Sequence, residues 1–198
     1  MSKIAIIYHS IYGHTKIQAE AVFRGAQSVP DITAKLYTTE EATAAMDELD
    51  SADAIIFGCP TYMGSLSAGM KTFIEAAAKK WFTSSWRNKI AGSFTNSSSF
   101  SGDKLNTLVG LFINAMQHGM IYVGLGMHPS PNKQQDMEQI TGPAPDAHNR
   151  VGSFIGPMSS SFHVKPPDGP STGDLETAEL YGRRVAEITL QFARGKIP

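Results

Sequence analysis

Residues 3–15 read Lys3-Ile4-Ala5-Ile6-Ile7-Tyr8-His9-Ser10-Ile11-Tyr12-Gly13-His14-Thr15, and this stretch decides the fold. Its first half is a nearly unbroken apolar run. That length suits a strand, and the lack of alternation means both faces are buried, as in a parallel sheet. Its second half is a short polar turn containing a glycine. Beyond it, Ala19, Val22, Phe23 and Ala26 recur at steps of three and four, which predicts a helix over 15–29 closed by Pro30.

The same alternation continues along the chain. Strands are expected at 3–9, 32–37, 54–60, 89–95 and 120–124, and helices at 42–48, 67–81, 105–117 and 174–194. The last helix has Ser171 or Asp174 as its cap and Gly195 just past its end. Between them, 125–173 is rich in Pro, Gly, Ser and Asn and holds one strand-like piece, 151–155; a loop that long is usually functional. Strands joined by single helices imply right-handed crossovers and helices on both faces. The expected architecture is a three-layer sandwich around a five-stranded parallel sheet of order 2-1-3-4-5. Ligands then bind beyond the carboxyl ends of the strands, at the switch point.

A length of 198 residues fits a single domain, 1–198. Lys plus Arg number 17 against 18 Asp plus Glu, a formal net charge of −1, which removes the electrostatic case for nucleic acid or an anionic membrane and points to a small-molecule partner. The lone Cys59 rules out an internal disulfide framework and a cysteine-pair zinc site, and fits a reducing, cytoplasmic setting. The first residues lack a secretory apolar region, and no run approaches membrane-spanning length. Histidines at 9, 14, 118, 128, 148 and 163 show no i,i+4 pair, so no metal site is expected.

Three loops carry candidate chemistry. Ser10, Ile11, Tyr12, Gly13, His14 and Thr15 open directly into a helix, where successive backbone N–H groups and hydroxyls can cradle a phosphate. Neither a Walker loop nor a G-x-G-x-x-G fingerprint is present. After strand three come Thr61, Tyr62, Met63 and Gly64; after strand four come Asn96, Ser97, Ser98, Ser99, Phe100 and Ser101. Taken singly, the first loop could be an ordinary capped helix start and Tyr62 a partly buried turn aromatic. Together, a phosphate cradle, flat or soft walls from Tyr62, Met63 and Phe100, and a polar edge are what flavin mononucleotide (FMN) requires. Cys59 reads as a small hydrophobe at a strand end, and Ser10 lacks the G-x-S-x-G setting of an esterase nucleophile.

The runs IAIIYHSIYGHT (4–15), AIIFGCPTYMGSLSAGMKTFIE (54–75) and AMQHGMIYVG (115–124) resemble the WrbA-type NAD(P)H:quinone oxidoreductases of the flavodoxin-like family. The resemblance implies a flavodoxin-like fold, non-covalent FMN, NAD(P)H as hydride donor, a quinone as acceptor, and a homodimer or homotetramer. It implies phosphate contacts from 10–15, ring contacts from Thr61, Tyr62 and Met63, and ring-edge and ribityl contacts from 96–101. It also implies an aromatic near the substrate pocket at Trp81, while Gln117 or His118 could reach the quinone oxygen or the flavin edge. Trp81 as a helix-end anchor and His118 as a helix C-terminal charge are the structural alternatives. Three departures stand out: 96–101 replaces a Gly-rich run, Gln117 replaces the first of two histidines, and 38–50 is short. A flavodoxin-type electron carrier with a redox-protein partner is the competing reading, and the near-zero net charge favours the enzyme, because such carriers steer to basic partners by strong acidity.

Overall fold

The computed structural model describes residues 1–129, 138 and 140–195. Its elements are β1 (Ser2–Tyr8), α1 (His14–Gln27), β2 (Ile32–Thr38), α2 (Thr39–Ala44), β3 (Ala54–Tyr62), β4 (Ser65–Leu66), α3 (Ala68–Ala76), α4 (Ala78–Phe82), β5 (Ile90–Ser97), α5 (Lys104–Gln117), β6 (Ile121–Tyr122), β7 (Met158–Ser160) and α6 (Thr172–Arg194). The main path of the sheet is β2-β1-β3-β5-β6, with all neighbours parallel, which is the expected five-strand order. Two further strands join it: β4 folds back antiparallel on β3, and β7 pairs parallel with β5.

Strand residues of β1 divide between two cores as their alternation requires. Ile4 and Ile6 pack with Ala19 and Val22 of α1 and Tyr181 and Val185 of α6. Ala5 and Ile7 pack on the opposite face with Phe57, Phe73, Trp86, Leu111 and Ala115. The three layers are therefore α1/α6, the sheet, and α2, α3 and α5.

The edge of β5 is shared by two partners. β6 covers only its start, pairing Ile90 with Ile121 and Ala91 with Tyr122. β7 covers its end, pairing Thr95, Asn96 and Ser97 with Met158, Ser159 and Ser160. The long connection thus returns to the carboxyl end of the sheet, where the ligand is expected. Of that connection, residues 130–137 and 139 lie outside the described residues.

Three expectations are corrected. The piece 151–155 is not a strand: Asn149 folds it into a turn, donating from Nδ2 to Met127 O (3.0 Å) and Ser153 O (2.9 Å) and accepting from Ser153 N (2.9 Å), with Gly152 at φ 72°. The helix expected over 67–81 is two helices, broken at Ala77 with ψ near 0°. The helix expected over 42–48 starts earlier, at Thr39, because Thr38 and Glu41 form a reciprocal capping box.

Candidate functional site

Chain geometry at the end of β1 builds a candidate anion cradle. Gly13 takes the left-handed conformation (φ 91°) that lets the chain turn into α1, and a Cβ there would lie 3.2 Å from Pro166 Cγ. Gly13 N–H donates to Ser10 Oγ (3.2 Å), so the Ser10 hydroxyl hydrogen remains available to donate elsewhere. The first bond of the helix runs from Ile17 N to Gly13 O (3.1 Å), and the helix rule leaves the N–H groups of His14, Thr15 and Lys16 without intrahelical acceptors.

A cavity of about 830 Å³ extends from this cradle across the carboxyl ends of β1, β3 and β5. Ser10, Tyr12, Gly13, His14, Thr15, Thr61, Tyr62, Asn96, Ser97 and Ser98 line it, as the three-loop reading expects. Tyr12 and Tyr62 meet edge to face with ring centres 6.4 Å apart. Burial raises the Tyr62 phenol above its ordinary range, with Tyr12 and Cys59 adding to the shift, so it is a neutral surface at physiological pH. The Thr61 hydroxyl is turned into the protein, donating to Thr107 Oγ1 (2.8 Å) beside Thr95 Oγ1 (2.9 Å). Asn96 is buried; with its amide oriented to satisfy both ends, it donates to Ser159 O and accepts from Ser97 N, each at 3.2 Å.

Other expected members stand outside this cavity. Met63 (φ 47°) and Gly64 (φ 79°) are the two central residues of the β3–β4 hairpin, both left-handed, and the Met63 side chain is fully exposed. Asn106 Nδ2 holds that turn by donating to Gly64 O (2.6 Å). Ile11 points to solvent. Ser99, Phe100 and Ser101 curl away from the cavity. Lys104 Nζ donates to Ser99 O (2.9 Å), Ser160 Oγ donates to Phe100 O (2.8 Å), and the Phe100 ring stacks on Phe162 at 6.1 Å.

Gln117, His118 and Trp81 are not brought to the cavity within one chain. α5 starts at the carboxyl end of β5 and runs back, so its last residue lies at the opposite edge of the sheet, where Asn88 N donates to Gly119 O (2.9 Å) ahead of β5. Eight residues of β5 separate the two edges by about 25 Å. His118 is buried against Trp86 (ring centres 4.5 Å), and burial lowers its imidazole's pKa; Gln117 is exposed. Trp81 is half-exposed on α4, next to Lys80, which salt-bridges Asp47 and Asp50. Cys59 is buried and its thiol is pushed up to about 11 by that burial, which suits the small-hydrophobe reading.

Residue-level reading of the sequence missed the fourth wall. Ser161, His163, Lys165 and Pro166, from the segment between β7 and α6, line the cavity with the cradle. The only signal for them was the length of the connection. Their base is fixed by a buried cluster in which Lys104 donates to Ser159 O and Ser160 Oγ (both 2.8 Å). In the same cluster Arg150 pairs with Asp174 (2.9 and 3.2 Å), and Asp174 accepts from Ser160 N (2.9 Å).

The chain is similar over most of its length to known proteins. Residues 17–134 match the family model described as NADPH-dependent FMN reductase. The protein called flavodoxin FldP of Pseudomonas aeruginosa is 40% identical over 193 residues, covering 97% of this chain and 99% of that one. An enzyme called NAD(P)H dehydrogenase (quinone) of Syntrophobacter fumaroxidans is 30% identical over 214 residues, with 97% and 99% covered. Among solved structures, the flavodoxin, WrbA-like protein from Agrobacterium tumefaciens superposes with a TM-score of 0.73 at 40% identity, covering 96% of this chain and 99% of that chain.

Proposed function

This chain belongs to the NADPH-dependent FMN reductase family, in its flavodoxin-like, WrbA-type branch, and from that premise we propose that residues 1–198 act as one FMN-binding domain that passes hydride from NAD(P)H to a quinone. The observation that carries this reading is the continuity of a single 830 Å³ cavity from a helix-start anion cradle to the Tyr12–Tyr62 pair. Its volume lies in the range of a bound small cofactor. The residues fit FMN at each end: Ser10, Gly13 and Thr15 can take a terminal phosphomonoester, and the tyrosines offer flat walls to a planar ring.

When bound, FMN supplies the two-electron chemistry that side chains lack. What this chain contributes is position and electrostatics. Backbone donors of the cradle hold one end, while Asn96, Ser97 and Tyr62 line the cavity beside it. No acid–base pair is required of the chain. The aromatic mouth serves nicotinamide and quinone in turn.

The relative named flavodoxin at 40% identity favours a second reading, an electron carrier for another redox protein. A net charge of −1 gives such a carrier little to steer with, and supports the enzyme. Exposed Trp81, Phe82, Ile113 and Met116 support a homodimer or homotetramer that covers them. Since Trp81 and Gln117 face outward from one chain, any part they take in turnover passes through a neighbouring copy. The lone, buried Cys59 supports a cytoplasmic location; among the described residues no helix is long and apolar enough to cross a membrane.

The cofactor claim is tested by heat release from the purified protein. We expect FMN in the supernatant; FAD, or a protein without flavin absorbance after FMN is supplied, would contradict it.

A further inference from the structure

The cradle contains backbone amides and hydroxyls but little charge of its own. Of its six residues only His14 can become cationic, and its Nε2 already lies 2.7 Å from Val164 O. The adjacent Lys16 is exposed and faces Glu20 at 3.9 Å. A phosphomonoester is a dianion at neutral pH, and placing it against a partly desolvated wall calls for a counter-charge.

That charge is supplied from the strap between β7 and α6. Lys165 and His163 line the cavity together with Ser10, Gly13, His14 and Thr15. Residue 165 is bracketed by the cradle: Val164 touches His14 through its carbonyl oxygen, and Pro166 stands where a side chain on Gly13 would be. The strap is fixed independently of these two side chains. Ser161 N donates to Ser97 O (2.9 Å), Val164 N to Ser161 O (2.8 Å) and Asp168 N to Lys165 O (3.0 Å), while Lys104 and Asp174 hold Ser160. Among the described residues, neither the Lys165 ammonium nor the His163 ring has a hydrogen-bond or ion-pair partner within the protein. A fixed backbone thus carries two donor groups, one of them a lysine, into the cavity beside the cradle.

We propose that Lys165, assisted by His163, is the cationic half of a phosphomonoester site, so that this protein recognises the 5′-phosphate of FMN by charge as well as by backbone donors. The inference rests on the reading of this cavity as an FMN site. The same chemistry could serve the 2′-phosphate of NADPH, but the bracketing of residue 165 by contacts to Gly13 and His14 assigns it to the cradle and hence to FMN.

The experiment is a fluorescence titration of flavin-stripped protein with FMN and, separately, with riboflavin, at two salt concentrations. The wild-type protein binding neither ligand would sink the FMN reading itself, before any variant is considered. Given FMN binding, Lys165→Gln should weaken it about tenfold or more, leave riboflavin within about twofold, and flatten the salt dependence; Lys165→Arg should retain most of the affinity. Equal losses for both flavins would mean that residue 165 only packs the strap, and would overturn the proposal. So would unchanged FMN affinity, including the case in which the variant instead raises KM for NADPH relative to NADH.

Discussion

Gly13 combines two constraints that no other residue meets together: a φ of 91° and a Cβ direction that ends 3.2 Å from Pro166 Cγ. A β-branched residue is worst placed to accept either. Gly13→Val should therefore weaken FMN binding by about tenfold or more, from roughly 1–2 kcal/mol of backbone strain plus displacement of the strap. Titration of the flavin-stripped variant checks this, and an unchanged affinity would remove the cradle from the account. Lys104 makes a prediction of a different kind. Burial pulls its ammonium down to about 7; Asp174 opposes the shift and Arg150 adds to it. The unfolded chain keeps that proton up to about 10.5, so between pH 7 and 10.5 the unfolded state binds more protons and this residue makes stability climb with pH. Below about 7 its contribution is flat. Lys104→Met should flatten the rise of Tm between pH 7 and 10; an identical slope in the variant would mean that Lys104 stays charged when folded.

At the scale of elements, the α1–α6 contact is made by glycines. A Cβ on Gly182 would stand 2.0 Å from Val22 O, and one on Gly25 would stand 1.8 Å from Glu179 O, so the helix backbones touch. Gly182→Ala should cost about 2–4 kcal/mol by forcing the helices apart, a fall in Tm of roughly 5–12 °C; a Tm within 2 °C of wild type would show that the crossing yields easily. The run of α5 from one edge of the sheet to the other gives a further expectation. Gln117→Ala should leave FMN affinity within about twofold, because its helix end lies opposite the cavity, and a clear loss in titration would place a second copy's Gln117 at the flavin. These elements also show what could be read from the chain. The runs at 3–9 and 54–60 are nearly continuous in apolar residues, and 105–117 is a strongly apolar helix, so buried strands covered by helices followed. β7 could not be read, because Met158-Ser159-Ser160 has neither length nor alternation; its pairing is imposed from outside by Lys104, Asp174 and the free edge of β5. The cradle was legible because its chemistry is local, with turn, hydroxyls and helix start within six residues. His163 and Lys165 were not, since they come to line the cavity only once the strap is folded back across more than 145 positions to Gly13 and His14.

On the scale of the whole molecule, the decisive contrast is between an enzyme that turns over small molecules and a carrier that docks a protein. Both would hold FMN in the same cavity, so flavin binding alone does not separate them. The near-neutral net charge is what favours turnover. On the proposed reading one mouth receives both substrates, so that nicotinamide leaves before quinone enters. The most direct test is the initial rate of NAD(P)H oxidation by FMN-loaded protein over a matrix of nicotinamide and benzoquinone concentrations, with free FMN as the control. We predict saturable turnover far above the control, with parallel double-reciprocal lines. Intersecting lines would contradict the shared mouth, and a rate no greater than that of free FMN would contradict the enzyme itself.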